Sequence, residues 1–327
     1  MQNDKFRHSR INLSLITGFH TVFLDFCRID YYVKYFRILV TLLFITIVGA
    51  FISAPVRYMQ SFFDGLTVWA YNVLPALFPF AVLSTLTFKI APKSKRSFTK
   101  LLFGVSCDRV FLMSLLCGYP IGAKAIADSN ADTSSATRAC SFCSTAGPIF
   151  IIATVGAKLL RNPIATVIVI LVHILSAILN GLIYRKKEYA ELLDDNGQFS
   201  PKDFGNTLTN SVLSVLSVGG LIALFYMLTD MLRSFLPSSI SGSLIFSYAV
   251  GLLEMTNGII AVCKQADVAT ATVLVSNLLA LGGACVFLQC YAFIGNKNVK
   301  ATDIIIMKLT QSAFATILSF ALVKLLL

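Results

Sequence analysis

The octapeptide Cys117-Gly-Tyr-Pro-Ile-Gly-Ala-Lys124 interrupts a long apolar run. Glycine and proline inside a helix cost about 1 and about 3 kcal/mol relative to alanine, so the stretch predicts a broken helix. A break is expensive in lipid, because each freed backbone N–H or C=O costs several kcal/mol there. Irregular backbone survives at membrane depth only against protein or a wet cavity. A helix start also presents free N–H groups and about half a positive charge, which suits an anion. Lys124 adds a full positive charge beside those amides, so the octapeptide reads as half of an anion-favouring pocket, with close packing or a simple kink as the alternative use of its glycines.

That reading requires a membrane protein, and the rest of the chain supplies one. Of 327 residues, 56% are hydrophobic and 13% charged, with a mean hydropathy of +0.77; soluble domains are about 45–50% apolar and about 25% charged. The net charge of +11 fits cytoplasmic loops rich in Lys and Arg. It does not suggest nucleic acid, since no basic stretch is interleaved with aromatics. Most of the eight cysteines sit in apolar runs and read as small buried residues. Cys140-Ser-Phe-Cys143 is a lone CxxC with no second pair or nearby His to complete a zinc site, so neither metal nor cofactor is expected. No secretory signal is expected, because the first long apolar run begins near Tyr35.

A span needs about 20 apolar residues. The runs that qualify are 35–54, 66–90, 101–127, 136–160, 163–184, 206–232, 242–263, 268–294 and 302–326. The basic joint APKSKRSFTK (91–100) and the segment before residue 38 belong on the cytoplasmic side, as does Arg185-Lys-Lys187. The last assignment works only if 101–127 dips in and returns. Its counterpart, 242–263, would dip from the opposite face.

A repeat supports this. Gly118-Tyr-Pro120 precedes Ala146-Gly-Pro148 by 28 residues, and Leu253 precedes Leu281-Gly-Gly-Ala284 by 28; Gly118 and Glu254, and Gly147 and Gly283, are each 136 apart. The expected fold is therefore an all-α polytopic membrane protein of about seven to nine membrane segments, with two inverted repeats and broken or re-entrant helices. Its parts are a cytoplasmic N-terminal arm (1–34), a first transmembrane helix and loop (35–64), repeat 1 (65–186), a cytoplasmic linker (187–204) and repeat 2 (205–327). Inverted repeats with broken helices at mid-membrane are a common solution to transport.

The expected substrate-binding residues follow from the breaks. Gly118, Tyr119, Pro120, Gly122 and Lys124 form one side. Ser144, Gly147 and Pro148 frame it, and the hydroxyls of Ser144 and Thr145 either line a polar path or bond back to their own helix. Glu254, Thr256, Asn257 and Gly258 stand opposite, with Gln289 as a cavity donor. Glu254, ionisable within AVGLLEMTNGII, is a proton carrier, a cation ligand or an ion-pair partner for Lys124. Asp230 and Arg233 are expected to pair, His173 to be a hydrogen-bonded core residue, and Trp69 to anchor at an interface. With no HExxH, GxSxG or Walker motif, enzyme activity is not expected.

The stretches GLTVWAYNVLPALFPF (65–80), CGYPIGAK (117–124), SFCSTAGPIFI (141–151) and LLEMTNG (252–258) resemble the YlbJ-type sporulation integral membrane proteins, which are related to nucleoside-recognition or Gate-domain proteins. The likeness runs from about residue 35 to 327. It departs from the family pattern at Cys117, where that pattern has Ser, and at Ser144-Thr145, where it has amides. The resemblance implies a multi-pass protein of a bacterial cell or forespore membrane that moves a small molecule during sporulation, dipicolinate foremost. Dipicolinate is a dianion and fits the anion-favouring pocket. A nucleoside carrier and a non-transporting component of a spore-membrane complex are the alternatives. The expected partners are a small-molecule anion and the lipid bilayer, with a homo-oligomer or spore-membrane proteins left open.

Overall fold

In lipid only a helix satisfies its own backbone within one segment, and the described residues are helical almost throughout. The computed structural model describes residues 35, 37–90, 97–186, 190–191 and 201–327. The expected arm 1–34 with Cys27, residues 91–96 of the basic joint, Lys187 and most of the 187–204 linker lie outside the described residues.

The chain divides into two units, Met1–Pro55 and Val56–Leu327. In the first, the described structure is helix α1 (Arg37–Ser53). The second begins one residue into α2 (Pro55–Asn72) and continues with α3 (Leu74–Ile90), where the sequence suggests one span over 66–90. Pro75 explains the split, because it has no N–H to donate to the Tyr71 carbonyl. The exposed carbonyls are taken from elsewhere: Lys158 Nζ donates to Tyr71 O (3.2 Å) and Thr154 Oγ1 to Asn72 O (2.9 Å).

The expected segment 101–127 is built of several pieces: α4 (Phe98–Phe103), α5 (Asp108–Cys117) and α6 (Ile121–Asp128). Between α4 and α5, β1 (Val105–Ser106) pairs in parallel with β2 (Ala190–Glu191). Next come α7 (Thr133–Cys140), a π-helical segment Phe150–Leu160, and α8 (Pro163–Ile183). The second half contains α9 (Pro201–Ser234), α10 (Ser238–Ser241), α11 (Leu244–Leu253), α12 (Met255–Gln265), α13 (Val268–Leu281), α14 (Gly283–Ile294) and α15 (Ala301–Leu326). Among the described residues four helices are long and apolar enough to cross a membrane: Pro163–Ile183, Phe204–Ser234, Val268–Lys297 and Ala301–Leu326. A fifth is reached only by counting Arg37–Ser53 and Pro55–Asn72 together.

Two short hairpins stand beside these long helices. In α11–α12, Gln265 Nε2 donates to Ser247 Oγ (2.7 Å), and a Cβ on Gly258 would collide with the backbone of Gly251. The two helices therefore run back to back around Glu254. In α5–α6, Gly122 lies against Ser114, where an added Cβ would meet the serine side chain at 2.7 Å. An arm of about 10 residues is about 15 Å long, half of a hydrocarbon core of about 30 Å.

The long helices α8 and α15 pack antiparallel. Asn180, near the end of α8, donates to Met307 O (3.1 Å) and accepts from Thr310 Oγ1 (2.6 Å) near the start of α15. At the other end, Ile168 and Val172 share a buried cluster with Ala315 and Val323.

One expected contact is replaced. Asp230 pairs with Arg57, not Arg233: Arg57 Nε and Nη2 each donate to its carboxylate at 3.0 Å, and Ser61 Oγ adds a 2.8 Å bond. The planar guanidinium of Arg57 meets both oxygens at once, while Arg233 lies over the Phe246 ring at 5.7 Å. Trp69 packs onto α9 at Gly219, where a Cβ would meet the indole at 2.7 Å.

Candidate functional site

Helix breaks leave backbone groups and side chains aimed at one another, and here they line a partly open cavity. Its wall comes from the α2–α3 break (Val73, Ala76, Leu77), the end of α5 (Leu116, Cys117, Tyr119), the run before the π-helical segment (Ala146, Gly147, Ile149, Phe150), α9 (Val218, Ile222), the start of α12 (Glu254, Met255, Thr256) and α14 (Val286, Gln289). The lining is mostly apolar. It carries one carboxylate, Glu254, and no Lys, Arg or His.

Glu254 is 1% exposed and sits between α11 and α12 in extended backbone (φ −133°, ψ 109°). Its two oxygens accept from Thr256 N (3.0 Å) and Asn257 N (2.6 Å). The carboxylate thus caps α12, satisfying two of the orphan amides at the helix start and meeting the positive end of its dipole. The start of α12 is, on its own terms, a carboxylate site, and the protein's own carboxylate fills it.

The first break is closed differently. Gly118 takes φ +78°, a left-handed conformation that disfavours any side chain, and a Cβ there would also strike Gly147 N. Tyr119 N donates to Thr145 O (2.7 Å), and Thr145 Oγ1 to Ser114 O (2.9 Å). The segment 144–147 therefore packs directly on the break. His173, as expected for a core histidine, accepts at Nε2 from Ala146 N (2.7 Å). Tyr119 reaches across to the second half, donating its hydroxyl to Met255 Sδ (2.7 Å).

The structure brings Tyr119, Gly147, Glu254, Thr256 and Gln289 together around the cavity. Gly118, Gly122 and Gly258 permit close backbone approach. Pro120 stands at the N-cap of α6 without a side-chain cap bond, and Pro148 precedes the π-helical segment. Asn257 Nδ2 braces α9 through Thr229 Oγ1 (3.1 Å). Ser144 contributes its carbonyl, which accepts from Lys308 Nζ (2.5 Å).

Lys124 does not face this cavity and forms no pair with Glu254. Its Nζ donates to Ser214 Oγ (3.0 Å) and Asn210 O (3.3 Å) of α9. There it lines a second hollow with Asp128, Thr207 and Ser211. The short break at Gly118–Pro120 separates the two hollows: Cys117 and Tyr119 line one, Ile121 and Lys124 the other. The reason is helical rotation, since α6 packs Ile121, Gly122 and Ala123 inward and turns Lys124 towards the hydroxyl-rich face of α9.

Lys308 escaped the sequence reading. It is 8% exposed and lies two turns into α15 in an apolar stretch, the same signal that singled out Glu254.

The chain is similar to the sporulation integral membrane protein YlbJ of Bacillus subtilis (strain 168), with 24% identity over 338 residues, covering 88% of this chain and 83% of that protein. No family model and no solved structure matches it. That relative is named as an integral membrane protein, and several helices here are long and apolar enough to span. The chain is an all-α, multi-pass membrane protein.

Proposed function

We propose that the chain is a carrier or facilitator, and not an enzyme, that moves a small organic anion of the dipicolinate kind across a bacterial membrane during sporulation. The observation that carries this reading is the cavity lined by interrupted helices from both halves of the chain. A helix start in its wall is already built to hold a carboxylate.

Alternating access needs two halves that can exchange shapes, and the proposed architecture is a pair of inverted repeats. The equivalent elements start at Asp108 and Leu244, Ile121 and Met255, Thr133 and Val268, Phe150 and Gly283, and Pro163 and Ala301, 133–138 residues apart. They pack crosswise: α7 on α15 and α13 on α8, α6 on α14 and α12 on the π-helical segment. The equivalent helices α8 and α15 run antiparallel, as a two-fold axis lying in the membrane plane requires. In this reading 35–54, 66–90, 133–160, 163–183, 204–234, 268–297 and 301–326 cross, while the two short hairpins enter and return.

Glu254 constrains how an anion is carried. A substrate carboxylate about 4 Å from ionised Glu254 would cost about 4 kcal/mol at an effective dielectric near 20. The anion therefore shares the cavity when Glu254 holds a proton, which also releases the α12 amides. Lys124, in the separate polar hollow, draws the anion towards the protein. The test is uptake of labelled dipicolinate into proteoliposomes holding the purified chain, with and without an inward proton gradient. Uptake above protein-free vesicles, accelerated by the gradient, is expected; no flux in either condition overturns the reading.

The largely apolar wall and the lack of a cation in it favour one second reading, an uncharged ring such as a nucleoside. Competition between unlabelled nucleoside and unlabelled dicarboxylate in the same assay separates the two.

A further inference from the structure

Lys308 is buried, and its surroundings are those of a bound cation, not of an ion pair. Its Nζ donates to Ser144 O (2.5 Å), Ala280 O (3.2 Å) and Gln311 Oε1 (3.3 Å). The face of the Tyr119 ring lies 5.7 Å away, a surface that attracts cations. The titratable groups around it are Cys140 on α7, Cys290 on α14, His173 on α8 and Tyr119. No carboxylate among the described residues pairs with it.

The two carbonyls have a common origin. Ala280 belongs to the last turn of α13 and Ser144 follows the end of α7, and the two residues are 136 positions apart. Helix ends leave carbonyls without N–H partners and carry the negative end of the dipole. Neutral oxygens from unwound backbone and helix C-termini are the ligands that hold monovalent cations at membrane depth.

We propose that Ser144 O, Ala280 O and Gln311 Oε1 form a monovalent-cation site at the junction of the two halves, and that the ammonium of Lys308 occupies it as a tethered ion. The native chain then needs no free sodium or potassium there. Removing the lysine side chain opens the site to small cations. The proposal stands on binding and does not require that the chain carry a substrate.

The experiment uses purified full-length Lys308→Ala in detergent, with the native chain and Lys308→Met as controls. Thermal midpoints are compared in 100 mM nitrate salts of sodium, potassium, thallium, ammonium, methylammonium and choline. At a concentration near 100 times Kd, the midpoint of Lys308→Ala should rise by about 5 °C or more over choline in at least one small cation. The native chain and Lys308→Met, whose side chain fills the space, should respond by less than about 1 °C. Adding Gln311→Leu to Lys308→Ala should shrink the response. If Lys308→Ala does not fold in choline, recovery of folded protein by ammonium or another small cation supports the site. A Lys308→Ala midpoint that moves no more than that of Lys308→Met, or a failure of every small cation to restore folding, overturns it.

Discussion

Replacing Glu254 by glutamine tests both what holds the α11–α12 hairpin and what governs the cavity. In the native chain both carboxylate oxygens are engaged, by Thr256 N and Asn257 N, at 1% exposure. Glutamine keeps one acceptor and sets an NH2 donor against the other amide, leaving two donors face to face. Losing one hydrogen bond to a charged group costs about 1.5–3 kcal/mol, and the lost interaction with the helix dipole adds roughly 0.5 kcal/mol. With about 2 kcal/mol as the working value, the apparent thermal midpoint should fall by about 4–8 °C. Scanning fluorimetry in detergent reads this, alongside uptake into proteoliposomes across pH. Under the proposed function, uptake by the native chain should rise as pH falls, because protonated Glu254 neither repels the anion nor holds the amides. In the Glu254→Gln protein, uptake should be flat. A midpoint within about 1 °C of native refutes the capping role, and a pH profile as steep as native refutes the proton role.

Gly258→Ala places a methyl group in the backbone of Gly251; it should cost about 3 kcal/mol or more, while Gly205→Ala, with nothing within 4 Å, should leave the midpoint unchanged or higher. Lys124→Ala should lower dianion uptake at least tenfold, a loss of about 1.4 kcal/mol of attraction, with unchanged protein level on a blot. Asp132 caps α7 by accepting from Ser135 N (3.1 Å) and from its hydroxyl. Those bonds, the hydroxyl's foremost, hold its carboxyl below the ordinary aspartate range. The stabilisation is therefore present above about pH 4 and is lost as pH falls through the depressed value. Asp132→Ala should cost about 1 kcal/mol at neutral pH and nothing at the acid end, as read by midpoints across pH.

Much of the architecture was legible because lipid allows few alternatives. Composition alone indicates helices. The interruption between Cys117 and Ile121 follows from Gly118 and Pro120, and the one between α13 and α14 from Gly282-Gly283, both at positive φ. Glu254 stands out as an ionisable residue in an apolar run, but its role as the cap of α12 does not, since the usual N-cap residues are Ser, Thr, Asp and Asn. Other features depend on how helices rotate and pack. Nothing in CGYPIGAK says which hollow Lys124 enters, because that depends on which face of α6 is buried. The break after Asn72 follows from Pro75, but the groups that take its freed carbonyls, Thr154 and Lys158, lie more than 80 positions away in the chain. Lys308 is visible as a lone ammonium among apolar residues, but its main partners are backbone carbonyls, which carry no mark in a side-chain alphabet.

The contact of the Tyr119 hydroxyl with the Met255 thioether joins two residues 136 positions apart, which are each other's counterparts if the halves are copies. Counterparts touch only close to the axis that relates the halves, so under the proposed repeat this contact lies at their junction. If the proposed carrier rocks one half on the other, a distance probe set there is expected to change less than one set between the far tips of the hairpins.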